Sequence, residues 1–174
     1  MTQAYDNARY SLKDALTIAN SVLEAIAPHC VRCEIAGSIR REKPEVKDIE
    51  IVCIPKPYET GLFENGIAAV VNQWQKVKGE LEYGKCKYTQ RILPEGIKLD
   101  LFFAEESNWG LILAIRTGSA EYSHKILATE WVKRGYKSEG GHLVYNGKVY
   151  EVREEADLFA RLGIPYVEPK YRNI

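Results

Sequence analysis

The chain has 174 residues, 45% of them hydrophobic, and balances 24 basic against 24 acidic side chains. That length suits one domain, or one with a small appendage, and is enough to bury a core. The even charge excludes a generally polycationic nucleic-acid coat, so any such contact must come from a local patch. No apolar run reaches the roughly 18 residues of a membrane helix, and no signal-peptide pattern opens the chain. With only four cysteines, a disulfide scaffold is not expected either. The expectation is a non-secreted, non-membrane, intracellular protein, cytoplasmic and monomeric.

In chain order, Leu12, Leu16, Ala19, Val22, Leu23 and Ile26 recur at helical spacing and predict a helix over 11–27, stopped by Pro28. Residues 31–36 read as a short strand that ends at Gly37-Ser38, where Ser38 opens a helical turn limited by Pro44. Residues 48–54 are β-branched and apolar enough for a buried strand. Phe63, Ile67, Val70, Val71, Trp74 and Val77 predict a helix over 63–77. Strands follow near 86–92 and over 97–103; in the second, Ile97, Leu99, Leu101 and Phe103 alternate with Lys98 and Asp100. An apolar helix at 109–115, a longer one at 119–134, an Asn146-Gly147 hairpin and a helix at 153–162 capped by Gly163 complete the chain. The fold class is α+β: a mixed-sheet unit at 1–104, then a small helix-plus-hairpin subdomain at 105–174.

Asp48 and Glu50 lie two apart on an extended segment, so both carboxylates leave one face while Ile49 and Ile51 enter the core. Asp100 stands on the polar face of a second strand. If those strands are neighbours, three carboxylates converge. Their mutual repulsion calls for a divalent cation, and oxygen-only ligation favours Mg²⁺ or Mn²⁺ over zinc. The plainer alternative is polar decoration of half-buried strands. Gly37-Ser38 with Arg40-Arg41 combines a close backbone approach, a hydroxyl and two guanidinium groups, which suits phosphate. Nine residues separate Ser38 from Asp48, which suits a phosphate cradle and a metal site sharing one cleft.

Gly37-Ser38, Arg40-Arg41, Asp48-x-Glu50 and Asp100 together resemble the nucleotidyltransferase superfamily, and specifically the family X (DNA polymerase beta-like) polymerases. Thr117-Gly118-Ser119, Lys133-Arg134-Gly135-Tyr136, Leu162-Gly163-Ile164-Pro165-Tyr166 and Glu168-Pro169-Lys170-Tyr171-Arg172 extend the likeness from about residue 30 to the end. The resemblance implies a nucleotidyltransferase palm followed by a nucleotide-binding subdomain. It implies a DNA-directed DNA polymerase that adds a nucleotide from a dNTP to a DNA 3′-hydroxyl, on primer-template or gapped DNA, in a repair setting. Asp48, Glu50 and Asp100 would be catalytic and hold two ions. Gly37, Ser38, Arg41, Thr117 and Gly118 would bind the nucleotide, and Lys98, Arg116 and Ser123 would contact DNA.

The chain departs from the family pattern at several positions. Glu50 stands where those polymerases have Asp, Ile115-Arg116 replaces an aromatic pair, and Ser123 replaces a frequent Asn. Residues 1–30 offer no Gly-rich hairpin, so no 5′-deoxyribose-phosphate lyase activity is expected. Two alternatives are transfer to an RNA, protein or small-molecule acceptor, and a non-catalytic nucleotide- or DNA-binding module. Arg116, Lys125, Lys133, Arg134 and Lys137 against Glu121 and Glu130 form one candidate DNA patch; Lys76, Lys78, Lys85, Lys87 and Arg91 form another. Cys30-x-x-Cys33 reads as bland, with Cys53 and Cys86 isolated. His124 and His142 read as surface or interface residues, and Trp74, Trp109 and Trp131 as core packing.

Overall fold

The serine at position 11 ends a two-residue strand, β1 (Tyr10–Ser11), and caps helix α1 (Leu12–Ile26) by accepting from the Asp14 amide at 3.1 Å. The computed structural model describes residues 8–57, 66–81 and 87–174. They fall into two units, Met1–Phe103 and Ala104–Ile174. The fold is α+β. No described helix is long and apolar enough to cross a membrane.

The first unit is a five-stranded mixed sheet with helices on one face. After α1 come β2 (Cys30–Ile35), α2 (Gly37–Arg40), β3 (Glu45–Val46) and β4 (Asp48–Pro55). Then follow α3 (Ile67–Val71), β5 (Gln75–Lys78), β6 (Tyr88–Ile92) and β7 (Lys98–Phe103). The sheet order is β2-β4-β7-β6-β5, and β4 runs parallel to β7 while the other pairs are antiparallel. Ala15, Ala19, Val22 and Ile26 of α1 and Ile67 and Val71 of α3 pack with Ile49, Ile51, Leu99 and Leu101. The opposite face of the β4–β7 pair therefore carries Asp48, Glu50, Lys98 and Asp100.

The second unit opens with α4 (Trp109–Thr117). A continuous helical stretch follows: α5 (Ala120–Tyr122), a π-helical segment (Ser123–Ala128) and α6 (Thr129–Lys133). Strands β8 (Lys137–Glu139), β9 (His142–Tyr145) and β10 (Lys148–Tyr150) make an antiparallel meander, and α7 (Glu155–Leu162) closes the unit. The Asn146-Gly147 hairpin forms with both residues at positive φ, as that turn requires. Gly163 caps α7 in the left-handed region, as its position predicts.

Four sequence expectations need correction. The helix expected over 63–77 is confined to α3, and Gln75–Lys78 is instead edge strand β5; Phe63 lies outside the described residues. Val77, expected on an apolar helical face, is exposed. In α1 the buried stripe runs through Ala15, Ala19, Val22 and Ile26, and Leu16 is exposed. The helix expected over 119–134 forms, but with the π-helical segment inside it.

Candidate active site

The parallel ladder between β4 and β7 fixes the site. Its register sets Asp48 opposite Lys98 and Glu50 opposite Asp100. With side chains alternating, all four leave the face away from the core, and the two carboxylates of the Glu50–Asp100 pair are cross-strand neighbours. Asp48 and Glu50 are half-buried and Asp100 is 8% exposed. Burial, and then the Asp100 charge, raise the Asp48 pKa; Lys47, Lys98 and Arg41 act in the other direction without cancelling the shift.

Gly37 brings the second element against the first. The Ala36 amide donates to the Glu50 carbonyl at 2.8 Å, tying the chain to β4 just before the turn. Gly37 then takes φ +62° and begins α2, so the helical turn opens at Gly37 and not at Ser38. A Cβ built on Gly37 would overlap the Glu50 carboxylate, so only glycine lets that side chain lie across the turn. Ser38 is half-buried in the first turn of α2. The two arginines that follow behave differently. Arg40 reaches Glu34 on β2 at 3.8 Å, whereas Arg41 interacts with Glu50 and Asp48. Burial lowers the Arg41 pKa, and those two carboxylates oppose the effect.

Asp100 is anchored on the other side. Strand β6 pairs with β7 so that Gln90 faces Asp100 and Tyr88 faces Phe102. The Tyr88 hydroxyl and the Gln90 amide, the latter at 2.8 Å, both donate to Asp100 Oδ1. Glu50 thus turns toward Gly37 and Asp100 toward β6, as two like charges on paired residues favour. Among the described residues, no group of three or more His, Cys, Asp and Glu side chains forms a closed metal-ligand set. By donor type alone, an all-carboxylate set has the chemistry of a hard divalent cation.

The remaining candidates lie in the second unit. Thr117 is wholly buried and Arg116 exposed at the end of α4. At Gly118 a Cβ would crowd Tyr122 at 2.7 Å and Ser123 Oγ at 2.9 Å. The Ser123 hydroxyl donates to the Ile115 carbonyl at 2.8 Å.

Several side chains sit otherwise than sequence reasoning places them. Arg91 is no part of a surface patch: it is 3% exposed and donates to Thr89 Oγ1 at 3.1 Å and to the Trp74 carbonyl at 3.3 Å. Lys125 pairs with Glu121 at 3.8 Å, while Lys133 and Arg134 both pair with Glu130, which reduces the first basic patch. Cys53 is not isolated. A bulge between Cys30 and Arg32 puts Cys30 and Cys33 on one side, where Cys33 is register partner to Cys53. Cys30 interacts with both Cys33 and Cys53. Cys33 acts to lower the Cys30 pKa, but Cys53 and burial push it up to about 12, so the Cys30 thiol is held in its neutral form. His142 contacts Ser107 Oγ at 3.0 Å, binding the loop before α4 to β9.

Sequence reasoning missed Tyr88 and Gln90 although a signal existed. Leu93 and Ile97 close a hairpin around Pro94-Glu95-Gly96, with the Leu93 amide donating to the Ile97 carbonyl at 2.9 Å. Counting outward from that turn puts residue 90 opposite 100.

Comparison with known proteins adds one finding. Residues 112–173 match the family model of the DNA polymerase beta thumb. The match covers just over a third of the chain and relates its C-terminal unit to the family X polymerases through that one domain. No curated protein matches the chain.

Proposed function

We propose that this protein is a metal-dependent nucleotidyltransferase of the family X DNA polymerase type. It moves a nucleotide from a dNTP to a DNA 3′-hydroxyl and releases pyrophosphate. The observation that carries the reading is the β4–β7 ladder, which brings Asp48, Glu50 and Asp100 to one face beside the Gly37-Ser38 turn and Arg41. The thumb match in the other unit supports DNA as the acceptor.

In this reading Asp48, Glu50 and Asp100 hold two Mg²⁺ or Mn²⁺ ions. Such a pair, when bound, stabilises the attacking and leaving oxygens of an in-line displacement and eases loss of the hydroxyl proton. Ser38 and Arg41 bind the outer phosphates, the guanidinium offsetting charge that grows on the leaving pyrophosphate. Lys98, paired with Asp48 in the ladder, faces the primer terminus. In the second unit the resemblance assigns nucleotide binding to Thr117 and Gly118 and DNA contact to Arg116 and Ser123.

A non-catalytic nucleotide- or DNA-binding module is the second reading, favoured by Asp100 being engaged by Tyr88 and Gln90 and not aimed at Glu50. One assay separates the two. The full chain is incubated with Mg²⁺ or Mn²⁺, deoxy- and ribonucleotides, and gapped duplex, single-stranded DNA or RNA, beside Asp100→Ala. Templated extension of the gapped duplex, lost by about a thousandfold or more in Asp100→Ala, supports the polymerase, since several kcal/mol of transition-state stabilisation is removed. Extension of RNA alone changes the acceptor. Wild type no more active than the variant on every acceptor, yet still binding nucleotide, establishes the second reading.

A further inference from the structure

We propose that Tyr88 and Gln90 are positioning residues for Asp100, a role that rests on the reading of Asp100 as a metal ligand. Neither lies in the stretch that matches the thumb. Both donate to the same oxygen, Oδ1, of a carboxylate that is 8% exposed. Two donors on one oxygen hold the plane of the group and satisfy that atom. Both bonds fall on Oδ1, so in this proposal Oδ2 is the oxygen left for the cation.

The donors are themselves held. Tyr88 stacks on Phe102, its register partner, with centroids 5.0 Å apart and planes 27° apart. Lys78 Nζ lies 5.6 Å from the Tyr88 ring centroid, and Lys78 is the register partner of Gln90. The phenol is pinned between an aromatic face and a cation. The result is one row across three strands: Lys78 on β5, Tyr88 and Gln90 on β6, Asp100 on β7. Partners behind a metal ligand of this kind set its orientation, and their loss costs affinity or activity.

A buried carboxylate needs hydrogen-bond donors in any case. A purely structural role would therefore move stability alone, and the test must read something else. The variants are Tyr88→Phe and Gln90→Met, in the full chain. The probe is Mn²⁺, with the free ion followed by electron paramagnetic resonance, beside thermal unfolding in chelator and kcat and KM for a dNTP on gapped DNA. Each variant is expected to raise the half-saturating Mn²⁺ about tenfold and to lower kcat about tenfold, with dNTP KM changed by less than about twofold. Wild-type Mn²⁺ affinity in both variants, whatever happens to stability, overturns the proposal. Should Tyr88→Phe fail to fold, Gln90→Met, which leaves the phenol in place, decides by the same readouts. A wild type that neither binds Mn²⁺ nor transfers nucleotides overturns the metal-site reading and this inference with it. Binding and transfer in wild type with unaltered variants overturn the inference alone.

Discussion

In the C-terminal unit Arg172 is fully buried and closes on Glu155, itself 6% exposed, while its Nε donates to the Val167 carbonyl at 2.8 Å. The guanidinium lies 5.1 Å from the Phe159 ring centroid and 5.2 Å from that of Tyr166. In the N-terminal unit three carboxylates share one face of a sheet, and Lys47, Lys98 and Arg41 do not offset the burial and repulsion felt by Asp48. One buried group is held by a direct ion pair within its own unit; in the other, burial raises the Asp48 pKa despite the cations around it. A matched pair serves the packing around it. A carboxylate whose burial opposes its charge is the kind of group that a bound cation would stabilise, as the proposed function requires.

The largest test of that contrast is Arg172→Met. It removes the cation and leaves Glu155 buried without it, so urea unfolding should show a loss of about 3–5 kcal/mol. A loss below about 1 kcal/mol would place the pair among weak surface-like contacts and erase the contrast. Next is Gly37→Ala in the other unit. The alanine must adopt a left-handed φ and displace Glu50, at a cost of about 1–2 kcal/mol. If Glu50 is catalytic as proposed, displacing its carboxylate by about an ångström should reduce nucleotide transfer by about a hundredfold. Equal activity in the variant would mean that Glu50 has no fixed position to lose. Ser119→Ala acts on the second unit only: Ser119 Oγ accepts from the Tyr122 amide at 3.1 Å, and losing that cap should cost about 1 kcal/mol while leaving Mn²⁺ affinity unchanged.

Much of the carboxylate site is legible in the sequence because it rests on period-two alternation. Ile49 and Ile51, and Leu99 and Leu101, fix which face Asp48, Glu50 and Asp100 occupy. Adjacency of the two strands is not legible, since β4 and β7 are far apart in sequence and a parallel pair has no connecting turn to set its register. Edge strand β5 is hidden because Trp74 and Val77 extend the helical spacing of α3, whereas the exposed Gln75-Lys76-Val77-Lys78 pairs with β6 through its backbone. Side-chain direction is not legible at all. Nothing in a linear pattern shows that Glu50 bends toward Gly37 while Asp100 bends toward Tyr88. Local features, by contrast, follow from single residues: the Asn146-Gly147 turn and the Gly163 cap.

The smallest expected effect tests the burial of Asp48 directly. The folded-state pKa of Asp48 is raised, first by burial and then by Asp100. A raised carboxyl pKa favours the neutral form on folding. The stability it contributes is therefore present at pH below the unfolded value, about 3.9, and is lost as pH rises through the folded one. Asn cannot ionise, so with chelator present Asp48→Asn should unfold about 2–4 °C above wild type near neutral pH. The gap should close as the pH falls toward the unfolded carboxyl range. Exposed carboxylates with lowered pKa, Glu80 and Glu130, titrate alike in both proteins and cancel in the difference. Adding Mn²⁺ should reverse the order, because a cation bound by the folded state stabilises the protein that retains the carboxylate. A variant less stable than wild type at neutral pH without metal would mean that Asp48 is held by the fold as Glu155 is, and the two units would then bury charge in the same way.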